Sequence, residues 1–204
     1  MTKEKAIAII HQSAQEFERN LCGKQIMFIF RDGDNHVDYI EVRFRSQNFL
    51  HFTGVKTARG LSANDFYRSV LRHRLALTDF TFSDQHTTDM KLSVLSSIMN
   101  IDKTARMVGN YIGGHTDLYT EKVTGTTTAS LGLIQKNDYY LPNSVLKEDI
   151  RDIVARPPGK IFLICKKNIN DTLYTQVTYK SKNMKITPKC LNQDILTKID
   201  SDIL

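Results

Sequence analysis

Apolar residues near the start of the chain repeat at the spacing of an amphipathic helix. They are Ala6, Ile9, Ile10, Phe17 and Leu21. Thr2 is a suitable N-cap for this helix, and Gly23 is a suitable stop. The pattern therefore predicts that the chain begins with a helix whose apolar stripe packs on the rest of the protein.

Two strands are predicted next, from Ile26 to Arg31 and from Val37 to Arg45, with a turn at residues 32–35 between them. The second strand alternates apolar and polar residues, which indicates one buried face and one wet, partly basic face. The turn is acidic, but it lacks the twelve-residue ligand pattern and the closing glutamate of an EF-hand. We therefore interpret it as an ordinary hairpin turn.

The middle of the chain is predicted to be mostly helical. A strand-like run from Phe49 to Val55 comes first, and Ser62 with Asp65 then forms a capping box. The expected helices run from Ser62 to Arg74, from Thr88 to Met99 and from Lys103 to Val108.

The second half of the chain predicts a sheet. Its expected strands are Leu118 to Gly125, Ala129 to Gln135, Tyr139 to Leu141, Lys160 to Lys167 and Leu173 to Lys180. A helix capped by Asn143 is expected to reach Val154, and another is expected from Gln193 to Ile199. The sequence thus predicts an α+β fold of antiparallel strands and segregated helices, with residues 1–204 forming a single domain.

Charge and cysteine content narrow the class of partner. The chain has 204 residues, a formal net charge of +6 and a pI of about 9.2, so it attracts nucleic acid, anionic lipid or an acidic protein. No apolar run approaches the roughly 18 residues of a membrane span, and the first segment does not resemble a signal peptide. A cytoplasmic protein with no membrane partner is expected. The three cysteines form no CxxC pair, which favours core thiols over a zinc site or a disulfide framework.

Several common chemistries have no motif in this chain. It contains no HExxH, no phosphate-binding GxxxxGKT loop, no GxGxxG and no GxSxG elbow. We therefore predict no metal site and no cofactor.

One apolar run carries a histidine. If Phe49 to Val55 is a strand, His51 and Thr53 share one face of it. His51 is then either a satisfied core histidine or a general acid or base, since imidazole titrates near neutral pH. Thr53 is a possible phosphate donor, and Lys56 and Arg59 add positive charge just beyond the run.

Two further segments carry polar groups in a regular pattern. Lys122 and Thr124 share one face of a predicted strand, and Tyr119 lies on its other face. The pattern is typical either of an exposed polar strand face or of a surface that binds a phosphodiester. Asn143 is either a helix cap or part of a helix start that binds an anion.

Several blocks of the chain together resemble one known family. They are NFLHFTGV, DMKLSVLSSIMNI, ARMVGNY, LYTEKVTG, ASLGLI and YYLPNSVLKEDIR, in this order. Over roughly residues 25–165 they resemble the phage-associated barnase/EndoU/colicin/RelE-like nucleases, in particular a fourth phage-borne branch. The resemblance implies a core of about residues 25–181 with a helical insertion at about 62–110, in which helices lead into a curved antiparallel sheet with an active site on its open face.

The resemblance also implies metal-independent RNA cleavage. The ribose 2′-hydroxyl attacks its own phosphodiester and leaves a 2′,3′-cyclic phosphate and a 5′-hydroxyl. The implied catalytic residues are His51, Lys122, Thr53 and Tyr119, and the implied substrate-binding residues are Lys56, Arg59, Thr124, Asn143 and Lys147. His51 is the expected general base or acid, and Lys122 is expected to bind the scissile phosphate.

The expected partner is RNA, with an inhibitor or immunity protein if the activity is broad. A toxin or a defence factor of a mobile element is one setting for such an enzyme. Two other interpretations stay open: a non-catalytic nucleic-acid-binding protein that keeps the fold, and a protein-interaction module of a mobile element.

Overall fold

The computed structural model describes residues 1–58, 60–83, 86–113, 119–182 and 185–204. The helices are α1 (Lys3–Asn20), α2 (Asn48–Thr53), α3 (Ala63–Leu71), α4 (Thr87–Ile98), α5 (Ile101–Thr104), α6 (Ile150–Ile153) and α7 (Gln193–Lys198). The strands are β1 (Lys24–Arg31), β2 (Val37–Arg43), β3 (Val55–Thr57), β4 (Phe80–Phe82), β5 (Met107–Asn110), β6 (Lys122–Gly125), β7 (Ser130–Lys136), β8 (Tyr139–Leu146), β9 (Gly159–Asn168) and β10 (Gln176–Lys180).

Helix α1 begins and ends where the sequence predicts. The Thr2 hydroxyl accepts a hydrogen bond from the Lys5 amide at 3.3 Å, and Gly23 takes the left-handed conformation (φ +70°) after the last turn. Ile10 and Phe17, on the apolar stripe, are fully buried. A capping interaction of this kind contributes about 1 kcal/mol.

Eight strands form one strongly curved sheet in the order β1-β2-β8-β7-β6-β5-β9-β10. Strand β1 also pairs with β9, so seven of these strands close into a ring. Its pairs are antiparallel except β2 with β8, which meet in parallel at Val42 and Tyr140. The α+β class is therefore confirmed, and the sheet, expected to be antiparallel, is mixed through this one parallel contact.

Apolar side chains fill the concave side of the sheet and bind the helices to it. Phe28, Val42 and Leu133 belong to one buried cluster with Phe17 of α1 and Leu95 of α4. The opposite face of β1 and β9 is buried as well, under the C-terminal segment that contains α7. Among the helices of the described residues, none combines the length and apolarity that a membrane crossing requires.

The run from Phe49 to Val55 is not a strand, contrary to the prediction. It forms helix α2, which Gly54 ends in the left-handed conformation (φ +68°) before the short strand β3. The rings of Phe49 and Phe52, one helical turn apart, both pack on Phe17, with centroids 5.5 and 5.8 Å away. Packing on α1 therefore decides the local structure of this run.

Two other predicted helices are also wrong in part. The helix expected from Lys103 ends at Thr104, and residues 107–110 form β5 because they pair with β6 and β9. Asn143 lies inside β8, and the cap of the following helix is Asp149, whose side chain accepts from the Arg151 amide. The capping box of Ser62 with α3, the helices α4 and α7, and the strands β7 and β9 are confirmed within a few residues.

A pair of histidines joins α1 to the end of α3, and it predicts a pH dependence of stability. The rings of His11 and His73 meet edge to face, with centroids 4.5 Å apart, and the buried His11 Nε2 has no hydrogen-bond partner among the described residues. Burial, and then the charge of His73, lower the pKa of His11.

Because the unfolded chain then binds protons that folded His11 does not, the free energy of unfolding is expected to fall as the pH drops below about 6.5. Above that pH the contribution is fully present. The measurement is the thermal midpoint between pH 7.5 and 5.5, which should fall less in His11→Gln than in the wild type. Equal losses in the two proteins would contradict this account of the pair.

Candidate active site

A cleft of about 230 Å³ opens at the end of the strand ring where β1 ends and β2 begins. We call it the mouth cleft. Its lining residues are Phe30, Asp32, Asp38, Val108, Gly109, Asn110, Lys122, Ala155, Arg156, Pro157 and Gly159. Gly159 is required there, because a Cβ at this position would lie 2.4 Å from the Phe30 ring. Two cations and two carboxylates thus share one small cleft beside an apolar floor.

Lys122 is the first residue of β6 and lies opposite Asn110 of β5 and Leu133 of β7. Its Nζ donates a hydrogen bond to Asn110 Oδ1 at 2.7 Å. The Lys122 side chain lies on the same strand face as the buried Thr124, which points to the inside of the ring. Lys122 is two residues nearer to the open end of the ring. The ammonium group is thereby fixed in the mouth cleft.

Arg156 supplies the second cation of the mouth cleft. Its Nε donates to the Arg151 carbonyl at 3.1 Å, and its Nη2 lies 3.3 Å from Asp152 Oδ1.

Tyr140 lies on the same inward face of the ring as Lys122. Burial, followed by the charges of Glu121 and Asp38, raises the pKa of Tyr140, so its phenol stays protonated and available as a donor.

The turn between β1 and β2 holds a histidine, His36, beside Asp32, which lines the mouth cleft. Asp32 Oδ1 accepts from the amides of Asp34 (3.0 Å) and His36 (2.8 Å), as in an Asx turn. His36 Nδ1 lies 3.6 Å from Asp32 Oδ2. Within the described ranges this is the one group of three acidic or histidine side chains whose ligand atoms come within 4.8 Å of one another. All three side chains are exposed, and exposed acidic groups of this kind are common without an ion.

Sequence reasoning missed His36, Asp38, Asp32 and Arg156 as site residues. The alternation of β2 could have identified His36 and Asp38, because positions 36 and 38 lie on the same strand face as the buried Ile40. They follow that inward face past the apolar core. A polar residue on that row is a candidate for the open end of the ring. No local pattern reveals Arg156, which reaches the cleft through the pairing of β9 with β1 and β5.

Tyr119 and Asn143, both predicted site residues, lie together next to Lys122. The Asn143 side-chain amide donates to the Tyr119 carbonyl, and it lies 3.5 Å from Thr120 Oγ1. The Tyr119 phenol, 73% exposed, donates to Glu121 at 3.1 Å, and this hydrogen bond raises the pKa of Tyr119. Asn143 thus positions the chain just before Lys122 instead of capping a helix.

His51 lies elsewhere, on the exposed side of α2. Lys91 Nζ of α4 donates to the His51 carbonyl at 3.0 Å, and partial burial together with the Lys91 charge lowers the pKa of His51. Helix α2 follows the C-terminal end of β2, whereas the mouth cleft opens at the N-terminal end of that strand. The structure therefore does not bring His51 to Lys122.

The other predicted residues are divided between the core and the surface. Thr53 and Thr124 are fully buried, and each hydroxyl donates to a main-chain carbonyl, at 2.7 and 3.2 Å. Lys56 is exposed on β3, in the separate two-stranded sheet with β4, and Lys147 is exposed between β8 and α6. Arg59 lies outside the described residues.

Fold and site together define an α+β protein with a charged cleft, lined by two cations and two carboxylates, at one end of a curved mixed sheet. Residues 9–183 match the family model described as phage-Barnase-EndoU-ColicinE5/D-RelE like nuclease4, so the chain belongs to this family of nucleases. The resemblance stated from the sequence is confirmed, and the match extends beyond residues 25–165 on both sides. No curated protein and no solved structure matches the chain.

Proposed function

We propose that this protein is an endoribonuclease that cleaves RNA without a metal ion, by attack of the ribose 2′-hydroxyl, and that it does so in the mouth cleft. The family supports nuclease activity in general. The observation that carries the finer proposal is Lys122 Nζ, fixed 2.7 Å from Asn110 Oδ1 in a cleft that it shares with Arg156, Asp32 and Asp38.

The proposed reaction makes three demands on the protein. As the bond from O2′ to phosphorus forms and the bond from phosphorus to O5′ breaks, one group takes the 2′-hydroxyl proton and another protonates O5′. Negative charge grows on the non-bridging phosphate oxygens. Lys122 and Arg156 are the groups that stabilise this charge, because both cations line the same cleft.

His36 is the proposed proton-transfer group. Histidine is the most common general acid or base in proteins, and the carboxylate of Asp32, 3.6 Å from His36 Nδ1, orients the ring. Asp38, on the cleft wall, is the proposed second proton-transfer group. The role expected for His51 from the sequence is less well supported by the geometry, because α2 follows the end of β2 that is opposite to the mouth cleft.

Tyr119 is the proposed contact for an RNA base. Its ring is largely exposed, while its main chain is held by Asn143 next to Lys122. Proteins bind unpaired bases by stacking them on aromatic rings of this kind. A base stacked there would lie next to the phosphate that Lys122 binds.

The experiment that tests metal independence is cleavage of end-labelled single-stranded RNA in the presence of EDTA. We expect the wild type to cleave the RNA under these conditions and to leave DNA of the same sequence intact, because DNA lacks the 2′-hydroxyl. His36→Ala is expected to slow cleavage by about 10²–10⁴-fold, which is the usual contribution of a general acid or base. His51→Ala, the matched control, should cleave at nearly the wild-type rate.

Two results would overturn the proposal. Cleavage that EDTA abolishes and Mg²⁺ restores would point to a metal-dependent nuclease. RNA bound tightly by all three proteins but cut by none would favour the non-catalytic nucleic-acid-binding protein, for which the net charge of +6 is also suitable.

A further inference from the structure

Two cations lie directly opposite each other on the outer face of the ring, next to the mouth cleft. Arg31, the last residue of β1, pairs in register with Lys160 of β9. Residues opposite each other in an antiparallel pair have Cβ atoms only about 5 Å apart, and like charges there destabilise the sheet. Such a pair is expected where an anion binds.

Among the described residues, neither cation has a carboxylate partner. Arg31 Nη1 donates to the neutral Asn35 Oδ1 at 2.9 Å, and its guanidinium lies 5.9 Å from the centre of the buried Phe162 ring. Over the described ranges, no ion pair involves Arg31 or Lys160. Asp32, the next residue after Arg31, already accepts hydrogen bonds from two turn amides.

These cations line a second cleft, of about 380 Å³, which we call the outer cleft. Its lining residues are Arg31, Asp32, Gly33, Asn35, Pro157, Pro158, Lys160, Ile161, Phe162 and Ser181. Asp32 and Pro157 line the mouth cleft too. Gly33 packs so closely on Pro157 that a Cβ at this glycine would lie 2.6 Å from the proline Cγ. The contact between Gly33 and Pro157 therefore forms the rim between the two clefts.

We propose that Arg31 and Lys160 bind the phosphate of a neighbouring nucleotide in the same RNA strand whose scissile phosphate lies at Lys122. A single strand then crosses the rim at Gly33 and Pro157, with one phosphate in each cleft. This inference rests on the function proposed above. It gives a reason for two cations to lie opposite each other although, among the described residues, neither forms an ion pair.

The test compares RNA substrates of two lengths. A dinucleoside monophosphate has only the scissile phosphate, whereas a ten-nucleotide RNA fills both clefts. In Arg31→Gln/Lys160→Gln, kcat/KM for the ten-nucleotide RNA is expected to fall by about 10–100-fold, mainly through KM, because two charged contacts to phosphate are lost. The value for the dinucleotide should stay unchanged. The matched control is Lys5→Gln/Arg19→Gln, which removes the same charge from exposed positions of α1.

A binding measurement makes the test independent of activity. The affinity for a ten-nucleotide 2′-deoxy strand, followed against salt concentration, should show a slope smaller by about 0.7, the value for one phosphate contact, in Arg31→Gln/Lys160→Gln than in the control. The thermal midpoint should not fall, since a like-charge pair has been removed.

The outcomes separate the two proposals. If the wild type cleaves no RNA, but the variant binds the deoxy strand more weakly than the control does, the subsite is supported and the nuclease mechanism is not. If the wild type cleaves both substrates, and the variant changes both equally or neither, the subsite is overturned while the nuclease stands. Equal salt slopes in variant and control would also overturn the subsite.

Discussion

Lys122→Met is expected to slow RNA cleavage by about 10²–10³-fold, which is the usual cost of removing one donor that stabilises transition-state charge. Methionine keeps most of the length and the apolar stem of lysine, so the packing beside Phe30 and Val108 is preserved. Within the described part of the chain, the ammonium group makes one hydrogen bond, to Asn110. The thermal midpoint should consequently change little.

The measurement is kcat for a fixed RNA, with Lys136→Met as the matched control. Lys136 is an exposed lysine at the end of the neighbouring strand β7, and it lies outside both clefts. If the two variants lose equal activity, or if neither loses any, Lys122 does not bind the scissile phosphate and the proposed site is wrong.

The second large effect concerns stability. Lys166 of β9 and Asp102 of α5 form an ion pair at 2.7 Å that is almost completely buried. Lys166 also donates to the Asn20 carbonyl at 3.2 Å, so it connects β9, α1 and α5. Lys166→Met leaves the Asp102 carboxylate buried and unpaired, and it is expected to lower the free energy of unfolding by about 3–5 kcal/mol.

Urea denaturation of a second variant separates charge from packing. Lys166→Met/Asp102→Leu removes both charges, so it should be more stable than Lys166→Met and close to the wild type. If the single variant has the unfolding free energy of the wild type, the pair is exposed to water more than the structure shows. If the double variant is no better than the single one, lost packing dominates over the unpaired charge.

Elements with a strong local signal were predictable from the sequence. Helices α1 and α3 have side-chain caps and an apolar stripe, and strand β9 is a long apolar run between turns. Helix α2 was not predictable in this way, because six residues with two phenylalanines fit either a strand or a helix. Contacts with Phe17, which is more than thirty positions away, decide the outcome.

The candidate site was predictable only in part, for a similar reason. Lys122 and Tyr119 stand close together in the sequence and carry the resemblance to the family, so both were found. Asp38 and Arg156 are 118 positions apart and line one cleft because β1 pairs with β9 and closes the ring. His51 was assigned to the same site as Lys122 by the resemblance, and its strand face was an assumption that the helical structure of α2 removes.

The most direct test of the central claim is the chemical identity of the product ends. The wild-type protein would be incubated in EDTA with a short single-stranded RNA, and the fragments would be weighed by mass spectrometry. The proposed mechanism predicts a 2′,3′-cyclic phosphate on the upstream fragment and a 5′-hydroxyl on the downstream fragment. Fragments that carry a 3′-hydroxyl and a 5′-phosphate would contradict it, because attack by the 2′-hydroxyl cannot form them.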